Sequence, residues 1–309
     1  MLKPHALEPG ARLGVVAPAS PFSRDEFEDG LEEIRRLGFI PVYDETVFAR
    51  ERPGYLAGSA ETRAAAIHAA WRDSSIAGLI GVRGGYGSAQ LLPLLDPTEA
   101  RRTRKPFIGY SDLTAVLTFL TIGCELVAFH GPMLAGRLGR GVVGYDRESL
   151  LNAVCRREPV GELKPPGLAT VRSGETIGPL FGGTLTQLVA SLGTPFAFAP
   201  PQGYVLFLDE VGERPYRLDR MVTQLVQAGV IARASAVVIN ELPKCDEPDG
   251  GPTAREVMAG LFADFPGPVL IGFPSGHAVA PAITLPFGVS CRVIANGRPR
   301  VVIEESAVE

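Results

Sequence analysis

Short apolar runs alternate with helix-length amphipathic segments through the first third of the chain, and this rhythm constrains the fold more than any other feature. Arg12 to Val16, Phe39 to Tyr43 and Ile76 to Val82 are β-rich, whereas Arg24 to Leu37 and Ala60 to Trp71 carry a helical pattern. Strands joined through helix-length crossovers predict a parallel sheet with helices on its faces. Pro106 to Ile108, bounded by Gly109, continues the series and precedes a helix-like run from Leu113 to Leu120. A residue at such a junction lies at the carboxyl end of a strand, where open α/β sheets place their ligands.

From Pro159 to Thr176 the chain turns rich in Pro, Gly and isolated charges, which reads as a linker or a pair of short edge strands. Beyond it, Tyr204 to Leu208, Ala236 to Asn240 and Val269 to Gly272 have the pattern of buried strands, and Arg217 to Ala228 that of a helix. The expected fold is α/β, with an N-terminal parallel-sheet domain over residues 1–160 and a smaller C-terminal mixed α/β domain over 176–309.

With 309 residues and 46% apolar side chains the chain can fill two cores. Its net charge is -4 and its Lys and Arg are interspersed with Asp and Glu, so no basic footprint for nucleic acid is present. Cys124, Cys155, Cys245 and Cys291 are far apart and form no CxxC pair, which argues for reduced, structural thiols rather than a zinc site or a disulfide framework. The start, Met1-Leu2-Lys3-Pro4-His5, lacks the apolar stretch of a signal peptide, and no later run is long enough for a membrane span. A cytoplasmic protein without a membrane partner is expected.

Four places could carry chemistry. Gly109-Tyr110-Ser111-Asp112 puts a serine on a strand-to-helix turn beside helix N-terminal N–H groups, which suits a nucleophile; a serine there is equally suited to capping the helix. Arg83-Gly84-Gly85-Tyr86-Gly87-Ser88 follows an apolar strand and could aim backbone N–H groups at an oxyanion. It lacks the Lys-Ser/Thr of a P-loop, so a nucleotide is disfavoured. Of the four histidines, His5 lies in the tail, His68 among helix alanines and His130 after an apolar run, while His277 follows a Gly/Pro/Ser loop at a strand end. Asp209 and Glu210 end an apolar strand, and because successive strand side chains point to opposite faces, only one can reach a given partner.

RGGYGS at 83–88, GYSD at 109–112, HGPM at 130–133, GGTLTQL at 182–188 and VGERPYRLDR at 211–220 together resemble the serine LD-carboxypeptidase family, in the family's order and from Leu13 through Gly288. The resemblance implies a Ser-His-acid triad between two domains, a homodimer, and removal of a C-terminal D-residue from small cell-wall peptides without metal or organic cofactor. It makes Ser111 the nucleophile and His277, ahead of Leu285-Pro286-Phe287-Gly288, the general base. The family reads Leu-Glu-Asp where this chain reads Leu208-Asp209-Glu210, so the acid is Asp209 by position and Glu210 by residue type. The backbone N–H groups of Asp112 and Gly85 are the expected oxyanion donors, with Arg83 or Arg217 as candidate partners of the substrate carboxylate. Two other readings stand beside this one: a microcin-immunity-type peptidase cleaving a peptide-nucleotide or acyl-sulfamoyl amide, and a non-catalytic peptide-binding protein.

Overall fold

The computed structural model describes residues 1–51 and 54–309. The expected alternation is realised as β1 (Arg12–Val16), α1 (Arg24–Arg36), β2 (Ile40–Val42), α2 (Ala60–Arg72), β3 (Ile76–Gly81), α3 (Pro97–Thr103), β4 (Phe107–Gly109), α4 (Thr114–Thr118), β5 (Ala128–His130) and α5 (Arg147–Cys155). The first helix shows why these segments fold as they do. Ser23 accepts a hydrogen bond from the N–H of Glu26, acids occupy the first turn and Arg35 and Arg36 the last, and Phe27, Gly30, Leu31 and Ile34 bury one face. Gly30 has to be small there, since a Cβ would lie 2.6 Å from the carbonyl oxygen of Leu134.

The second half adds β6 (Gly161–Leu163), β7 (Ala169–Arg172), β8 (Glu175–Thr184), α6 (Leu185–Ser191), β9 (Tyr204–Asp209), α7 (Pro215–Gln227), β10 (Ala234–Asn240), α8 (Ala254–Leu261), β11 (Val269–Phe273), β12 (Leu285–Phe287), β13 (Ser290–Ile294) and β14 (Arg300–Ile303). The Pro/Gly-rich stretch supplies two edge strands: β6 and β7 stand at opposite ends of an eight-stranded sheet ordered β6-β14-β13-β8-β9-β10-β11-β7. Its centre, β8 to β11, is parallel, and the strands on both flanks are antiparallel. The other sheet is ordered β12-β5-β4-β3-β1-β2. It is parallel apart from β12, a late segment that returns across the molecule and pairs antiparallel with β5.

The period-two alternation of β9 sorts its side chains between two cores. Val205 and Phe207 join the core that includes the first sheet, whereas Tyr204, Leu206 and Leu208 join a separate core under α7 and α8. By the same parity Asp209 faces the first sheet and Glu210 faces away. The carboxyl ends of the parallel strands of the two sheets therefore meet, with Gly109 and His130 coming from one and Thr184, Asp209 and Asn240 from the other.

Candidate active site

Ser111 follows β4 on a turn whose backbone is held in the left-handed region, with φ of +62°. An L-residue seldom adopts that conformation, and strain of this kind is over-represented at functional sites. The turn opens a short 3-10 helix, Ser111–Leu113, with Tyr110 in the cap position and no side-chain cap bond. Ser111 is thus the first helical residue and not the cap, and among the described residues its hydroxyl bonds no helix N–H. Two neighbours make the turn possible. A Cβ on Gly109 would lie 2.6 Å from the side chain of Leu113, and one on Gly84 would lie 2.9 Å from Ser111 Cβ, 3.0 Å from its Oγ and 3.2 Å from the backbone N of Asp112.

The glycine loop is fixed against this turn from two sides. Asp112 accepts a hydrogen bond from the N–H of Ser88 at 2.8 Å, and the Ser88 hydroxyl donates to the carbonyl of Asp112. The buried guanidinium of Arg63 donates to the carbonyls of Gly58, Pro18 and Gly87. Gly85 takes φ of +98°, and a Cβ there would strike Ser20, not Ser111. Gly84 is thus the glycine that lies against the serine, a point the sequence motif did not distinguish.

His277 and Asp209 are joined twice. The Nδ1 of His277 is 2.8 Å from Asp209 Oδ2, and its backbone N–H donates to Asp209 Oδ1 at 3.0 Å. The Thr184 hydroxyl donates to Oδ2 at 3.0 Å, and Asn240 Nδ2 donates to Oδ1 and to the carbonyl of His277 at 2.9 Å. Glu210 turns away. Its Oε2 accepts from the N–H and hydroxyl of Thr186 at the start of α6, and its Oε1 accepts from the N–H of Val211. The ring of His277 meets that of Tyr110 edge-on, with centroids 5.0 Å apart, which brings the loop after β11 to the residue preceding Ser111. Among the described residues no hydrogen bond joins Ser111 Oγ to His277, and in unliganded sites such bonds are often long.

Several residues of this cluster were given no role from the sequence, although Thr184 lies in GGTLTQL and His130 in HGPM. Thr184 and Asn240 end two buried strands, and a polar residue closing an apolar run was the available signal. Gly276 carries φ of +63°, and a Cβ on it would lie 2.4 Å from His130 Nε2 and 2.6 Å from Asp209 Oδ2. His130, considered only as a buried polar residue, stands 3.9 Å from Asp209 Oδ2 and is fully buried. The remaining candidates lie elsewhere. Arg83 is exposed and donates to the carbonyl of Pro21, Arg217 pairs with Glu213, and His68 bonds Glu99 of α3.

The electrostatics follow from burial set against pairing. Burial alone would raise the Asp209 carboxyl, but the charge and hydrogen bonds of His277 outweigh it and hold the group below its ordinary value. Burial would lower His277, and Asp209 outweighs it in turn, so the imidazole titrates above its ordinary value. Glu210, buried without a cation, is pushed up. An ionised acid holding the Nδ1–H of an imidazole leaves Nε2 free to accept a proton, and a serine on a strained turn is the partner such a base serves. A cavity of about 520 Å³ opens between α2 and β2 along Val42, Tyr43, Ala65 and Ala69, and Ser111, His277 and Asp209 do not line it. Chemistry, not volume, marks the site.

Two α/β sheets that bring a serine turn, an imidazole and a carboxylate together at their strand ends define a serine hydrolase architecture. Residues 13–131 match the family model of the LD-carboxypeptidase N-terminal domain and residues 177–293 that of the LD-carboxypeptidase C-terminal domain. The chain belongs to the LD-carboxypeptidase family and is a serine carboxypeptidase. It is 34% identical to a putative carboxypeptidase of Streptomyces coelicolor, over 96% of this chain and 94% of that one. With a probable murein peptide carboxypeptidase of Bacillus subtilis it shares 30% identity, over 99% and 95%. The solved structure of MccF in complex with glutamyl sulfamoyl guanosine superposes over 100% of both chains with a TM-score of 0.91 at 22% identity, a likeness of fold. A muramoyltetrapeptide carboxypeptidase from Oxalobacter formigenes superposes with a TM-score of 0.82 at 25% identity, over 96% of this chain and 99% of that one.

Among the described residues no helix is long and apolar enough to cross a membrane, and the four cysteines are free.

Proposed function

We propose that this chain releases the C-terminal D-amino acid from murein tetrapeptides, with Ser111 as nucleophile, His277 as general base and Asp209 as the acid that orients it. The observation that carries the reading is the double hydrogen bond from His277 to Asp209 at the mouth of the strained Ser111 turn. Serine Oγ attacks the carbonyl of the L-configured centre and passes its proton to His277 Nε2. The tetrahedral intermediate then collapses, and the proton goes to the departing amine of the D-residue. Water, deprotonated by the same imidazole, frees the acyl group from Ser111.

The developing oxyanion is assigned to the N–H groups of Asp112 and Gly85. The carbonyl of Gly84 accepts from the N–H of Ser20. In a trans peptide the N–H points opposite to the carbonyl, so the Gly85 N–H is directed away from Ser20. A Cβ on Gly84 would lie 3.0 Å from Ser111 Oγ and 3.2 Å from the Asp112 nitrogen, so the glycine keeps that space open. Glu210 receives no part in the chemistry; its contacts support the start of α6. We place the activity in the cytoplasm, on murein fragments being recycled.

The test is incubation with L-Ala-γ-D-Glu-meso-diaminopimelate-D-Ala and mass spectrometry of released D-Ala. Release by the wild type and its loss in Ser111→Ala is the expected result. A folded wild type that leaves the tetrapeptide intact but cleaves an aminoacyl sulfamoyl nucleoside would move the assignment to the immunity-type reaction. Inertness towards both would return the chain to peptide binding without chemistry.

A further inference from the structure

His130 closes β5 with its ring completely buried, and among the described residues neither Nδ1 nor Nε2 has a hydrogen-bond partner. Such a ring is unusual, because a buried polar group left unpaired costs free energy that an apolar side chain of similar shape would not. Its surroundings are mostly aromatic. Phe207 packs edge-on at 5.2 Å between centroids, Phe287 lies tilted at 5.3 Å, and Tyr110 stands at 5.9 Å. The ring faces the carboxylate of Asp209, whose Oδ2 is 3.9 Å from Nε2 and is the oxygen that holds His277 Nδ1. Gly276, where a Cβ would lie 2.4 Å from His130 Nε2 and 2.6 Å from Asp209 Oδ2, leaves the space through which the two approach.

We propose that His130 is a positioning residue that stands as a neutral Nε2–H donor aimed at Asp209 Oδ2, closing to a hydrogen bond while His277 is neutral and loosening as its imidazolium forms. Burial keeps the ring uncharged, lowering it to about 4, so it enters as a dipole and not as a competing cation. A shift of under roughly 1 Å brings 3.9 Å into hydrogen-bonding range. Asp209 Oδ2 then shares its charge among Thr184, His277 and His130. The groups that set the titration of His277 are Asp209, Glu210 and Arg137, and the groups facing His130 are Asp209, His277 and the phenol of Tyr110. Removing the His130 donor concentrates negative charge on Asp209 and raises the affinity of His277 for its proton. The inference takes the roles of Asp209 and His277 from the proposed function, but its test needs no substrate.

Nitrogen-15 NMR of the histidine side chains in the full chain at neutral pH is expected to find His130 as the Nε2–H tautomer; an Nδ1–H tautomer overturns the proposal. The same spectra titrate His277 in the wild type, His130→Phe and His130→Gln. Loss of the donor in the Phe variant is expected to raise the His277 pKa by about one unit, a tenfold change in proton affinity. Gln, whose amide nitrogen takes the place of Nε2, is expected to stay near the wild type. Equal shifts in both variants, or none in either, overturn the proposal. If the Phe variant fails to fold, the tautomer of the wild type still decides. Absence of D-Ala release alongside the expected spectra would reject the substrate assignment and leave this inference standing.

Discussion

Asp209 grips His277 at two points, taking the ring Nδ1–H on one oxygen and the backbone N–H on the other. The grip fixes both the tautomer and the place of the imidazole. Asp209→Asn would set an amide NH₂ against one of these donors and favour the wrong tautomer, so kcat for D-Ala release is expected to fall by about 10⁴-fold with KM little changed. Glu210→Gln keeps the ring in place and disturbs only the bonds to Thr186 and Val211. It is expected to cost about 1 kcal/mol of stability while retaining most activity. Steady-state kinetics with urea melts of both variants checks the pair; a collapse in the Glu210 variant alone would reverse the assignment.

The pH dependence has a definite sign. His277 must be neutral to take the serine proton, and Asp209 raises its pKa above the ordinary imidazole value. The acid limb of kcat/KM is therefore expected above about pH 6.5. Asp209→Asn removes the charge responsible, so the limb should move down as the rate falls. A limb below the ordinary value in the wild type would count against His277 as the base.

Much of this was legible in residues before any coordinates. The strand and helix rhythm placed β1 through β4 within one or two residues, because caps and apolar period agreed at each end. The choice between Asp209 and Glu210 was not decided by pattern. The proposal of Asp209 rests on the side of β9 that meets the first sheet, a tertiary relation that parity encodes only once Val205 and Phe207 are known to face that sheet. The return of Leu285–Phe287 to pair with β5 was invisible for a related reason: a three-residue strand carries almost no periodicity, and its partner lies far away in sequence. His130 was passed over because a histidine after an apolar run usually finds partners, and among the described residues this one does not.

His130 also predicts acid sensitivity. Its folded pKa is lowered to about 4 by burial, below the unfolded value. Its contribution to stability is present above about pH 6.5 and is lost as the pH falls through 4, where the buried ring must take a charge. The loss amounts to about 3 kcal/mol in total. His277 and Asp209 must be kept apart from this effect. The raised His277 stabilises below its unfolded pKa, and the lowered Asp209 loses its contribution only at still more acid pH. Urea unfolding at pH 7 and pH 4.5 should show a smaller fall for His130→Phe than for the wild type; equal falls would place the acid sensitivity elsewhere.

Gly84 and Gly85 separate the chemical from the conformational role of the glycine loop. Gly85 sits at φ of +98°, so Gly85→Ala meets backbone strain and the side chain of Ser20, and a loss of about 1–2 kcal/mol is expected. Gly84 is not among the glycines with positive φ, and its backbone accepts alanine. The new methyl would instead press on Ser111 and occupy the space beside the Asp112 nitrogen. Gly84→Ala should therefore lower the Tm, because the 2.9 Å approach to Ser111 Cβ forces the turn to shift, and lose about 10²–10³-fold in kcat, the scale of removing an oxyanion donor. Thermal melts and D-Ala release on the two variants make the comparison. An active Gly84→Ala protein would mean that the oxyanion develops on another side of Ser111, and the assignment to the Asp112 and Gly85 N–H groups would fall.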